Sequence, residues 1–280
     1  MADAADALAV AAAVAAGAPV TLDGWSRLRA VTPARIALGR AGVSLPTAEI
    51  LRFGSDHALA RDAVQRPLDC AALEGELAAL GLPTLQVASR AAHRNAYLMR
   101  PDLGRRLDPR CVAPLEAVAG AGCDLALVVG DGLSALAVQR HAAPLLASLL
   151  PALGPGWRLG PVVIARQARV ALGDQIGHLL RAALVAVLIG ERPGLSSPDS
   201  LGIYLTWDPR PGRSDAERNC ISNVRPQGLA AADAARTLAW LCREARRLQR
   251  TGVALKDRSD LADVLPAPEA PDAGTGKALG

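Results

Sequence analysis

Glu191 stands directly after Gly190, where an apolar run from Ala183 to Ile189 ends. Open α/β sheets bind ligands at the carboxyl ends of their strands, so a carboxylate there is placed to accept hydrogen bonds from one. Its plain alternative is pairing with the adjacent Arg192, or solvation. A second candidate is Gly130-Asp131-Gly132-Leu133-Ser134-Ala135, which fits the loose GxGxxA dinucleotide fingerprint between an apolar run and a helical pattern. Asp131 would oppose a pyrophosphate in that turn, and the next strand ends in Arg166-Gln167 instead of a ribose-binding carboxylate. A basic residue there suits NADP, which keeps an NADP-dependent oxidoreductase open. The remaining chemistry is sparse. There is no GxSxG nucleophile elbow, and His57, His93, His141 and His178 form neither HxxxH nor HExxH. Cys70, Cys111, Cys123, Cys220 and Cys242 are odd in number, irregularly spaced and without a CxxC pair. Neither a metal site, nor a disulfide framework, nor a catalytic group of the chain's own is expected.

These residues need a frame. Short apolar runs at Asp124–Val129, Gly160–Ala165, Ala183–Ile189 and Leu201–Thr206 are interleaved with helical stretches at Leu133–Leu150 and Leu172–Ala182. Runs without period-2 alternation point to a mostly parallel sheet covered on both faces, a Rossmann-like three-layer α/β domain over residues 120–264. Residues 25–119 read as a helical N-terminal domain, a small packed bundle. Thr32-Pro33 opens one helix, Thr47 caps a second carrying Ile50, Leu51, Leu59 and Val64, and Cys70–Leu80 forms a third, stopped by Gly81 and Pro83. The stripe from Ala231 to Leu248 reads as a core-facing helix, with Cys242 on its buried side. Residues 1–24 form an Ala-rich extension, and 265–280, low in complexity, are expected to be a disordered tail.

Composition narrows the function classes. Of 280 residues 51% are hydrophobic but only 2% aromatic, so the core is aliphatic and stacking platforms for single-stranded nucleic acid are not expected. The net charge of +4 is spread out, with no basic block to suit a nucleic-acid partner. No apolar run approaches the roughly 20 residues needed to span a bilayer, and the N-terminus lacks a basic n-region. Reduced thiols fit a cytosolic compartment.

Several segments carry a resemblance, in this order: RIALGRAG (Arg35–Gly42), AYLMRPDLGRRL (Ala96–Leu107), VVGDGLS (Val128–Ser134), RVALGDQIG (Arg169–Gly177), and GERPGL (Gly190–Leu195) with SLGIY and DAERNCISN after it. Together they resemble the small (light) subunit of adenosylcobalamin-dependent ethanolamine ammonia-lyase, over roughly residues 25–256. The resemblance implies a radical enzyme that converts ethanolamine to acetaldehyde and ammonia after Co–C homolysis. It implies that the substrate site lies in a partner large subunit, a TIM barrel, and that this chain holds one side of the cobalamin in a hetero-oligomer. The cofactor-binding residues it implies are Val170, Glu191 and Cys220, with the segment between Glu191 and Cys220 one residue shorter than in one known member of the family, a gap that falls in Pro209 to Asp215. No DxHxxG motif is present, so the cofactor is expected to stay base-on, its own benzimidazole on cobalt. A bacterial cytoplasmic location is implied, either free or inside an ethanolamine-utilisation microcompartment. A non-catalytic scaffold protein is the remaining alternative.

Overall fold

The computed structural model describes residues 19–262. Most of the Ala-rich extension and all of the tail at 265–280 lie outside the described residues. In chain order the elements are α1 (Thr47–Gln65), α2 (Cys70–Ala79), β1 (Thr84–Ala88), α3 (Arg94–Met99), α4 (Pro101–Gly104), α5 (Val112–Ala119), β2 (Cys123–Gly130), α6 (Ala135–Leu153), β3 (Val162–Arg166), α7 (Leu172–Leu179), β4 (Ala182–Gly190), β5 (Leu201–Trp207), β6 (Arg218–Val224) and α8 (Ala231–Leu248).

The six strands form one sheet in the order β1-β3-β2-β4-β5-β6. The pairings β1–β3, β3–β2 and β2–β4 are parallel, and β4–β5 and β5–β6 are antiparallel. The sheet is thus mostly parallel, with an antiparallel meander along one side. Successive residues of the central strands serve opposite faces. Leu125, Leu127 and Val129 of β2 pack with α2, α6 and α8, whereas Ala126 and Val128 pack with α5 and α7. Every residue of β2 is buried, as a strand covered on both sides requires. The result is the expected three-layer α/β arrangement, with Cys242 fully buried in the α8 layer.

Four local expectations change. No helix starts at Thr32-Pro33. A 3-10 turn spans Ser26–Ala30, and the chain then runs irregularly to Pro46, pairing Thr21 with Arg40 and Ala41 with Ser44. Ala37, Gly39 and Gly42 adopt positive φ there, which a helix cannot accommodate. In α1 the N-cap is Pro46, not Thr47, and its side chain makes no capping bond. The apolar residues of α1 do not form a bundle seam: Ile50, Leu51 and Leu59 are 52%, 68% and 55% exposed. Finally, two strands stand outside the expected apolar runs: the Cys220 segment, which is β6, and Thr84–Ala88, which is β1. Helix α2 matches its expected span, capped by the Asp69 carboxylate, which accepts from Ala72 N at 3.0 Å.

Candidate functional site

Helix α6 follows β2 on one face of the sheet, and α7 follows the neighbouring β3 on the other. Adjacent strands whose chains leave to opposite faces create a crevice at their carboxyl ends. Here protein fills that crevice. The buried Asp131 carboxylate accepts from Gln167 N and Ala168 N, both at 2.9 Å, and ties the β2 turn to the β3 turn. A side chain on Gly132, at φ 56°, would collide with the Gly190 carbonyl, and one on Gly130 would meet the Ala168 methyl at 2.9 Å. Both glycines serve close backbone packing, and Asp131 has its own partners in the turn. This arrangement does not favour a pyrophosphate there.

The open cleft lies beside it, on the α7 face. It encloses about 390 Å³ and is bordered by Tyr97, Arg169, Val170, Glu191 and Tyr204. Glu191 directly follows the last residue of β4, and its N–H donates to Ser200 O at 2.9 Å across the loop to β5. Its Oε2 accepts from the Ser200 hydroxyl at 2.5 Å and from Asn223 N at 3.2 Å. Among the described residues no donor reaches Oε1, and Glu191 forms no ion pair with Arg192. The side chain can lie across the sheet because β5 offers Gly202 beneath it: a Cβ there would sit 2.9 Å from Oε1. Oε1 is therefore an ionisable acceptor held in place with no protein donor of its own.

Tyr204 lies two residues beyond Gly202 and so on the same face of β5. Cys220 on β6 is its cross-strand partner. Directly opposed residues of an antiparallel pair hold their Cβ atoms about 5 Å apart. Burial raises the Tyr204 hydroxyl well above the ordinary tyrosine value, and Cys220 and Glu191 add to the rise. Cys220 is exposed, yet its thiol is also raised, first by desolvation and further by Glu191, with the Tyr204 hydroxyl opposing. Both groups stay protonated at neutral pH, which makes Cys220 a contact residue, not a nucleophile. Val170 precedes α7, packs on the same apolar layer as Tyr204 and borders the cleft with it. The structure thus brings Val170, Glu191 and Cys220 to one sheet face, with Tyr204 between them.

Beneath this platform, residues 206 and 218 continue the same column. Arg218 grips Asp174 of α7 through Nη1–Oδ1 at 2.6 Å and Nη2–Oδ2 at 2.7 Å, and donates to Thr206 Oγ1 at 3.0 Å. Asp174 and Arg218 are 1% and 6% exposed, so this bidentate pair locks α7 to the meander from inside. Asp174 does not serve His178, which is exposed one turn away. Among the other histidines, His93 accepts from Ala96 N at the start of α3 and His141 lies 3.5 Å from Asp199. The described residues contain no group of three or more metal-ligating side chains.

Sequence reasoning missed Tyr97, Arg169 and Tyr204. Tyr97 is fully buried at the cleft wall, stacked by Arg94 at 4.7 Å and Arg169 at 4.3 Å, and its hydroxyl donates to Ala168 O at 3.1 Å. Burial raises that hydroxyl to about 12, against the opposing Arg169 charge. A signal existed: the chain has only two tyrosines, and both border this cleft.

Comparison with known proteins adds a family. The model of the ethanolamine ammonia-lyase light chain matches residues 22–256. The chain is similar to the ethanolamine ammonia-lyase small subunit of Azotobacter vinelandii, 57% identical over 248 residues, covering 87% of this chain and 92% of that protein. It is also similar to that of Rhodopseudomonas palustris, 55% identical over 250 residues, with 89% and 96% covered. A third relative, from Pseudomonas aeruginosa, is 57% identical over 241 residues, with 85% and 88% covered.

Proposed function

The chain belongs to the ethanolamine ammonia-lyase light-chain family, and on that premise we propose that it works as the small subunit of the adenosylcobalamin-dependent enzyme. Its part is to hold one side of the cofactor against a large, TIM-barrel subunit that carries the substrate. The observation that carries this reading is the sheet face beyond α7, where Val170, Glu191, Tyr204 and Cys220 stand together with Glu191 Oε1 lacking a protein donor.

The residues present fit such a ligand. A corrin is a broad apolar disc rimmed with amide donors. Glu191 can accept from a rim amide, Val170 and the Tyr204 ring offer apolar contact, and the protonated Cys220 thiol packs at the edge. A cleft of about 390 Å³ covers only part of so large a molecule. That is expected of a half-site completed by a partner. When bound, the cofactor supplies the radical chemistry; the protein contributes position and exclusion of water. Glu191 is fixed before binding by Ser200 and Asn223, so little ordering is left to lose. The Arg218–Asp174 pair keeps Cys220 and Val170, on different elements, at constant separation. No residue of this chain acts as a catalytic acid, base or nucleophile in this reading, and none of its histidines would be needed to hold the cofactor.

No described helix is long and apolar enough to cross a membrane. We place the assembled enzyme in the bacterial cytoplasm, free or within a microcompartment. The test is reconstitution. The chain alone, the large subunit alone and their mixture are each given adenosylcobalamin and ethanolamine, and acetaldehyde is followed through alcohol dehydrogenase and NADH. Only the mixture should turn over. Equal rates from the large subunit alone refute the role.

A further inference from the structure

A second cleft of about 570 Å³ adjoins the first, sharing Arg169, Val170 and Tyr204 as its wall. Its charges are not balanced within the chain. Asp174 is occupied by Arg218, and Asp215 also reaches Arg218, at 3.2 Å. Arg213 is held by Asp208 at 2.7 Å and by Glu217 at 2.5 Å. Arg105, Arg106 and Arg169 also line the cleft; none of the three forms a close ion pair with a carboxylate among the described residues, and Arg106 acts on Asp102 only at longer range. Arg169 is the most constrained. Its guanidinium stacks on Tyr97, its Nη2 donates to Tyr97 O at 3.3 Å, and its Nε is buried without any partner. Its backbone N–H donates to Gly104 O at 2.9 Å, and a Cβ on Gly104 would sit 2.9 Å from the Arg169 Cγ. Glycine at 104 therefore lets Arg169 lie flat in a fixed pose, with Arg105 and Arg106 following directly in sequence.

A partly desolvated guanidinium without a counter-ion is a cost to the fold that an anion would offset. With the exposed Arg105 and Arg106 beside it, Arg169 suits an anion with several acceptor oxygens, and arginine forks match phosphate geometry. We propose that Arg105, Arg106 and Arg169 bind a phosphodiester, that of the nucleotide arm of the cofactor whose corrin edge meets Glu191. This rests on the functional reading above and adds a polar subsite to it.

The experiment compares hydroxocobalamin, which has the nucleotide arm, with dicyanocobinamide, which lacks it. Binding to the complex assembled with the large subunit is measured by equilibrium ultrafiltration and absorbance. Because Arg105 and Arg106 are exposed, the double variant Arg105→Gln/Arg106→Gln should fold. Its affinity for hydroxocobalamin should fall about 10- to 100-fold, as expected for losing charged hydrogen bonds, with dicyanocobinamide binding unchanged. Arg169→Lys, which keeps charge but not the fork, should shift the same ratio in the same direction. An unchanged hydroxocobalamin affinity, or equal losses for both probes, overturns the phosphate site and leaves the cofactor role standing. Loss of large-subunit binding on sedimentation, with the probe ratio constant, assigns the arginines to partner carboxylates and also overturns it. A wild-type complex that binds neither probe refutes the cofactor role itself, and the subsite with it.

Discussion

Glu191→Gln separates a ligand-binding carboxylate from a structural one. In the native chain one oxygen, Oε2, accepts from Ser200 and Asn223, and Oε1 is left for a ligand. A glutamine can keep its carbonyl toward those two donors, so the loop from β4 to β5 should persist, losing about 1 kcal/mol through the weaker, neutral acceptor. Its amino group then occupies the Oε1 position. A rim amide that met an anionic acceptor now meets another donor. The loss is that of a charge-assisted hydrogen bond, about 1.5–3 kcal/mol, or roughly 10- to 100-fold in Kd. The assay is titration of the assembled complex with hydroxocobalamin, with thermal denaturation of the same sample as the fold control. Glu191→Asp, charged but one methylene shorter, should fall between the two. Unchanged affinity at unchanged Tm would refute the reasoning and return Glu191 to a loop-bracing role with Ser200 and Asn223.

Asp174→Ala strands Arg218 in the interior and should destabilise the chain by about 3–5 kcal/mol in urea unfolding, whereas Asp174→Leu with Arg218→Met should recover most of that loss. Glu217 closes a capping box with Ser214, and the Ser214 backbone, then the Arg213 side chain, hold its carboxyl down from 4.5 to about 2. Its folded pKa is depressed, so its contribution is complete above pH 4.5 and is lost as pH falls through about 2; Glu217→Gln should flatten that acid limb of the stability curve. The Cys220 thiol is raised by burial, with Glu191 adding to it, so peptide-resolved iodoacetamide labelling should titrate above the ordinary thiol value of 9.0 despite its exposure, and Glu191→Gln should move the midpoint down. A midpoint below 9.0 would contradict the geometry.

The parallel half of the sheet was legible because its strands are continuous aliphatic runs, a pattern that only two-sided burial favours. β2 and β4, at Cys123–Gly130 and Ala182–Gly190, extend the expected runs by one residue at each end. β6 was not legible. Arg218-Asn219-Cys220-Ile221-Ser222-Asn223-Val224 is the outer strand of the meander, where only Arg218, Ile221 and Val224 are buried, and it reads as a loop. β1 is an edge strand of five residues with little apolar signal. The apolar recurrence in α1 misled for another reason: periodicity reports an apolar face and not what covers it, and in this chain Ile50, Leu51 and Leu59 are exposed. At the site, Glu191 was visible from its position at a strand end. Val170 and Cys220 were reached only through resemblance, because a valine and a lone thiol carry no local chemistry. The Asp174–Arg218 pair spans 44 residues and has no signature in the spacing of the chain.

The cross-strand pairing of Tyr204 with Cys220 has an evolutionary corollary. Hydrogen-bond register, not contour length, sets where Cys220 stands, and Arg218 anchors the strand's first residue in the interior. The connection from Asp208 to Glu217 can therefore gain or lose a residue without shifting the platform. Its insertions and deletions would fall on Pro211 to Asp215, which form the outer bank of the arginine cleft. Among relatives, drift in that loop could remodel one rim of the site as a separate module while the glutamate and the thiol keep their places.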